Sequence, residues 1–212
     1  MHHANSVAML RISVVAAALV VALALPFGGS LSARGYRHYE HFKPIRCGTE
    51  LWAMKTLRDR GASHINFAPR ATTIGWLAAQ PAPRDPDLVS HRLAPVETSV
   101  WRVRAQLVGY RIEADGDYHL VLRDPRSGAT MIGEIPIPRC VASRGPQYAA
   151  LRTEVDRIGH HRATRFWWWL DYHGATPPTV TISGVGFFDR IHQQDGVARN
   201  GVELHPVLGL SP

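Results

Sequence analysis

The chain is poor in the features that mark common activities. It has only two cysteines in 212 residues, Cys47 and Cys140. No Cys-x-x-Cys spacing occurs, which argues against a redox dithiol or a thiolate metal site. There is no glycine-rich phosphate loop, no nucleophile elbow and no zinc-protease helix, so the reactions those motifs signal are not indicated. Beyond the first 25 residues no apolar run is long enough to span a bilayer. Internal repeats are absent, and no dense Lys/Arg cluster stands out.

What is present begins at the N-terminus. "MLRISVVAAALVVALALPFGGSLSA" has Arg11, an apolar run from Ile12 to Leu25 broken only by Ser13, then Pro26 and small residues. This is the three-part pattern of an export signal, and it is too short for a spanning helix. Residues 1–33 are therefore expected to be a signal peptide cleaved near Ser32 or Ala33, with Met1 or Met9 as the start. The remaining chain is expected in the periplasm, in the cell envelope or secreted, without an integral span. In such a compartment Cys47 and Cys140 most simply form one disulfide. The 24 Lys+Arg against 17 Asp+Glu, mostly through Arg, give +7, a balance that favours anionic partners.

Residues 34–97 read as an N-terminal extension. "TELWAMKTLRD" carries a helical spacing with Thr49 as a cap, and "TTIGWLAAQPAP" a short helix capped by Thr72 or Thr73. Four prolines in 81–95 mark a surface connector. From Thr98 the pattern alternates. Trp101, Val103, Ala105 and Leu107 oppose Arg102, Arg104 and Gln106 on a long strand that can bend at Gly109. "DYHLVLRD" and "ATMIGEIPIP" supply two more strands. "GPQYAALRTEVDRIGHH" places Tyr148, Leu151, Val155 and Ile158 on one helical stripe. "TVTISGVGFFD" and "VELHPVLGL" complete five strands. The fold class is mainly β. The order, with a helix between strands three and four, resembles a five-stranded oligonucleotide/oligosaccharide-binding (OB) barrel over residues 98–212.

Several phrases, "DGDYHLVLRD", "MIGEIPIPRC", "GVGFFD" and "NGVELHPVL", resemble those of a group of uncharacterised exported bacterial proteins. That resemblance implies export and a shared fold, and no activity. Asp115-Gly-Asp117 is also similar to thermonuclease-type OB nucleases. Tyr118 stands where those enzymes have threonine, and "EIPIPRC" lacks their arginine and acidic residues, which puts that activity in doubt.

Asp115-Gly116 between two strands is expected to be a two-residue hairpin loop with positive φ at both positions. Calcium ligation by Asp115 and Asp117 is the alternative. His119 faces away from Leu120 and Leu122, onto the outer face of the barrel. In the OB order strand three lies between strands two and five, so Glu134, Glu203 and His205 can join His119 there. The condition is a His119–Glu134 register with an even connecting loop. Two imidazoles with one or two carboxylates suit a divalent metal or acid–base work. "FWWWLDYHG" offers Trp167 and Trp168 as stacking surfaces or as packing. Asp189 and His192 flank a polar loop.

The first expectation is an exported binding module for an anionic polymer or glycan, using Arg102, Arg104, Arg123, Trp167 and Trp168. The second is a metal-dependent, phosphodiesterase-like hydrolase, with His119, Glu134, Glu203 and His205 as the catalytic candidates and His119, Glu134 and His205 as the metal ligands. The third is a structural envelope protein. A divalent metal is the one cofactor these residues suggest.

Overall fold

The computed structural model describes Cys47 and residues 51–141, 143–171 and 174–212. The expected signal peptide, the segment 34–46 and Thr49 lie outside the described residues. Strand β1 (Asn66–Ala71) is followed in the chain by β2 (Ser99–Ile112), β3 (Tyr118–Arg123), β4 (Thr130–Ile135), β5 (Trp168–Trp169), β6 (Thr179–Phe188) and β7 (Val202–Ser211). Among the described residues three α-helices accompany them: α1 (Trp52–Lys55), α2 (Ile74–Leu77) and α3 (Gly145–Ile158). None of the helices among the described residues is long and apolar enough to cross a membrane.

The sheet runs β2-β3-β4-β7-β6, and β6 pairs back onto β2. Five strands therefore close into an OB-like barrel. Four of its five pairings are antiparallel, while β4 and β7 run parallel. α3 lies between β4 and β6 in the chain, as the element order predicts.

The alternation seen in the sequence builds the core. Trp101, Val103, Ala105 and Leu107 of β2, with Leu120 and Leu122 of β3, are buried inside. Tyr148, Leu151, Val155 and Ile158 of α3 join the same apolar cluster. β2 shifts register between Leu107 and Gly109, a bulge at the expected bend.

Residues 51–97 pack directly on the barrel. Ile74, Leu77, Ala78 and Val96 belong to the barrel's own core cluster. Full burial of a side chain such as Leu77 contributes about 1.5–3 kcal/mol. The Thr73 hydroxyl caps α2 by accepting from the Trp76 N–H at 3.1 Å. β1 pairs in parallel with β2, and all six of its residues are exposed. It is an edge strand without alternation and with Pro69 inside it, which hides it from a pattern reading. The expected bridge is present, Cys47 to Cys140, closing a separation of 93 residues.

The hairpin differs from expectation in one respect. Gly116 has φ 98°, but Asp115 is not among the residues with positive φ. The Gly116 N–H bonds to the Glu113 carbonyl, and the Glu113 N–H to the Asp117 carbonyl. The loop is thus Ala114-Asp115-Gly116, a β-turn followed by a left-handed glycine. The two-residue form fails because Asp115 uses its side chain: Oδ1 accepts from the Asp117 N–H at 3.0 Å and holds the turn.

Candidate functional site

The expected register holds. His119 lies opposite Glu134, and Gly133 of β4 pairs with Leu204 of β7, which sets Glu134 beside His205. The outer face is not solvated, however. His119, Glu203 and His205 are buried, with His205 at 0% exposure. The cover comes from two sides. Lys55 of α1 pairs with Asp189 at 3.2 Å. The loop after β6 crosses β3, where the Asp195 carbonyl meets His119 Nε2 at 2.9 Å. Gly196 makes that crossing feasible, since a Cβ there would sit 2.7 Å from Val121 Cγ1. Arg199 and Asn200 tie the loop to the end of α2 by hydrogen bonds to Ala78, Leu77 and Gln80 carbonyls.

His119 has no nitrogen to spare. Nδ1 lies 3.1 Å from Glu113 Oε1 and 3.4 Å from Glu134 Oε1, while Nε2 faces the Asp195 carbonyl. Acceptors at both nitrogens demand a proton on each, so the ring is an imidazolium. Burial alone would lower its pKa; the Glu113 and Glu134 carboxylates outweigh that and hold it up to about 10. In this arrangement His119 is a cation that orders carboxylates, not a metal ligand.

His205 differs. Its Nδ1 is 2.9 Å from Glu203 Oε1 and 3.2 Å from Glu134 Oε2. Its Nε2 lies 3.7 Å from Asp117 Oδ2, and neither of those two atoms has a hydrogen-bond partner. Asp117 replaces His119 in the arrangement: one ligand atom each from Asp117, Glu134 and His205 lie within 4.8 Å of one another. Asp115, the other aspartate of the calcium alternative, is not in this group.

Carboxylates are in excess. Burial pushes the Asp117 carboxyl up to about 7, and burial with the Glu134 charge does the same to Glu203. Glu134 is held down to about 2, because His119, His205 and Lys55 outweigh its desolvation. Lys55 is raised despite burial by Glu203, Glu134 and Asp189. Lys55 was not visible as a site residue in the sequence, because nothing local marks a lysine on a one-turn helix as lying over a distant strand pair.

A cavity of about 330 Å³ opens between the β2–β3 hairpin and the 189–194 loop, lined among others by Lys55, Glu113, His119, Glu134, His192 and Gln194. Beside it lies an aromatic stack. The Trp167 and Trp169 rings are 4.5 Å apart, Arg111 covers Trp167 at 4.7 Å, and the His119 ring meets Trp167 edge-on at 5.2 Å. Trp169 rests on Gly109, where a Cβ would come 2.4 Å from its ring. Trp168 stacks on His161 at 3.8 Å and stays 39% exposed.

Register places Arg102, Arg104, Gln106, Gly109 and Arg111 of β2 on the same outer face as His119, Val121 and Arg123 of β3. Arg102 and Arg104 are exposed, with no salt bridge to a carboxylate among the described residues. Arg123 is instead held by Asp171 at 3.0 Å and by Gln106 at 3.2 Å.

No protein-family model and no curated protein matches the chain. Among solved structures, a candidate aspartyl-tRNA synthetase from Leishmania major Friedlin is similar at 13% identity and a TM-score of 0.34, over 68% of this chain. The chain spans only 20% of that protein.

Proposed function

We propose that the protein is an exported OB-type binding module for an acidic glycan. The observation that supports this most is the place of the polar cavity. OB barrels receive oligosaccharides and oligonucleotides on the face of their second and third strands, between the loops after strands one and four. Here those are β3 and β4, the 113–117 hairpin and the 189–194 loop, and the cavity opens there. Carboxylates, amides and imidazoles at one mouth suit the mixed donors and acceptors of sugar hydroxyls. The unpaired Arg102 and Arg104 continue the same face and suit spaced anionic groups, with the tryptophan stack between them and the cavity.

Titration of the purified protein with uronic-acid oligosaccharides tests the reading. Binding is expected to weaken with salt. The R102E/R104E double variant is expected to bind roughly tenfold less tightly, about 1.4 kcal/mol. Neutral oligosaccharides of the same length should bind the parent and the variant alike. Absence of binding by the parent to either series overturns the reading. Hydrolysis by the parent protein would instead favour the metal-dependent hydrolase, which the geometry supports less well because His119 offers no free nitrogen.

A further inference from the structure

We propose that Asp117, Glu134 and His205 form a binding site for one divalent transition-metal ion of the zinc class, buried beneath the cavity. The inference stands on geometry and is independent of any glycan.

Each of two ligands is anchored through one atom and presents the other. The Glu203 carboxylate holds His205 Nδ1 at 2.9 Å. With the ring neutral, that bond keeps the proton on Nδ1 and turns the Nε2 lone pair inward, the carboxylate–histidine arrangement that orients metal ligands. Asp117 Oδ1 accepts from the Ile137 N–H at 2.7 Å, which leaves Oδ2 free. The free atoms, His205 Nε2 and Asp117 Oδ2, face each other at 3.7 Å and have no hydrogen-bond partner. Both residues are almost fully buried, at 0% and 1% exposure.

An orphaned nitrogen and an orphaned carboxylate oxygen, both dry, are costly unless something lies between them. Two ligand atoms on a tetrahedral zinc at about 2.0–2.2 Å are roughly 3.3–3.6 Å apart, so 3.7 Å needs only a small closure. Glu134 is the third residue of the group and lines the cavity, which makes it the entry path; its Oε2 now lies 3.2 Å from His205 Nδ1 and turns from there to join the ion. One imidazole and two carboxylates match zinc or manganese better than copper or a thiolate-seeking ion. The ion also supplies positive charge where carboxylates are in excess.

The full exported chain, stripped with a chelator and confirmed folded by circular dichroism, is titrated with zinc alone. One equivalent is expected to bind, with a rise in Tm. The isosteric D117N variant and H205Q are expected to lose that equivalent. The H160Q/H161Q variant, which removes a histidine pair outside the site, is expected to keep it. Retention by D117N and H205Q, or loss only in H160Q/H161Q, overturns the proposal, as does failure of the parent to bind one equivalent. If the variants do not fold, X-ray absorption on the zinc-loaded parent decides. One imidazole among oxygen ligands at about 2.0–2.1 Å supports the site; two or more imidazoles overturn it.

Discussion

Gly116 carries the hairpin through a φ of 98°, a value that side chains with a Cβ adopt at a cost. Gly116→Val is expected to lower stability by about 1 kcal/mol or more, read from a urea melt, and a variant as stable as the parent would remove the left-handed turn. Gly109 serves a different purpose: it is the bare backbone on which Trp169 lies. Gly109→Ala should displace that ring and cost about 1–3 kcal/mol, with a change in tryptophan fluorescence that a purely backbone effect would not produce. Glu97 is a buried carboxylate that accepts two backbone N–H groups, from Leu93 at 2.7 Å and Phe188 at 2.9 Å. Burial raises its pKa and favours the neutral acid. Glu97→Gln, however, turns an NH₂ toward an N–H, and the unmade bond is expected to cost about 1–3 kcal/mol in thermal or urea unfolding.

Among the elements, α3 does more than cap the barrel. Arg152 donates to the Gly116 carbonyl at 2.7 Å and to the Ile135 carbonyl at 2.8 Å. It therefore clamps the hairpin to the end of β4, on either side of Asp117. Arg152→Met keeps the stem and loses both bonds, with an expected cost of about 1–3 kcal/mol. The same variant should loosen the hairpin, measurable as faster amide exchange at Glu113 and Gly116. If their protection is unchanged, the clamp is not what holds the loop. The Cys47–Cys140 bridge ties the segment before α1 to the turn before α3. Closing so long a loop constrains the unfolded chain, and Cys140→Ser is expected to cost about 2–5 kcal/mol.

For the molecule as a whole, the barrel, α1, α2 and the 189–201 loop form one interlocked body. The loop holds α2 through Arg199 and Asn200, α1 holds the loop through Lys55 and Asp189, and the polar cluster lies under both. The apolar run at the N-terminus makes a separate prediction. If the run is a cleaved export signal, N-terminal sequencing of protein recovered from outside the cytoplasm should find a start near Ala33 or Arg34, and recovery there of a chain that retains residues 1–33 would refute a cleaved signal.

The amino-acid sequence alone determined the strands, their inward faces and the barrel order, because a period of two and a helical stripe are local properties of the chain. It set only the condition for His119 and Glu134 to share a face, an even connecting loop that preserves side-chain parity between paired strands; the structure decided that they pair directly. It did not reveal β1, whose residues bury nothing, nor the three-residue hairpin, which depends on the Asp115 carboxylate choosing the Asp117 N–H. Only the tertiary structure decided that the polar outer face is buried. Alternation tells which side chains share a face, but not what lies above them. The cover is built by Lys55 and the 189–196 loop, far from β3 in sequence; beneath it Glu113, Glu134 and the Asp195 carbonyl keep His119 an imidazolium, while Glu203 and the Ile137 N–H hold His205 and Asp117 facing each other.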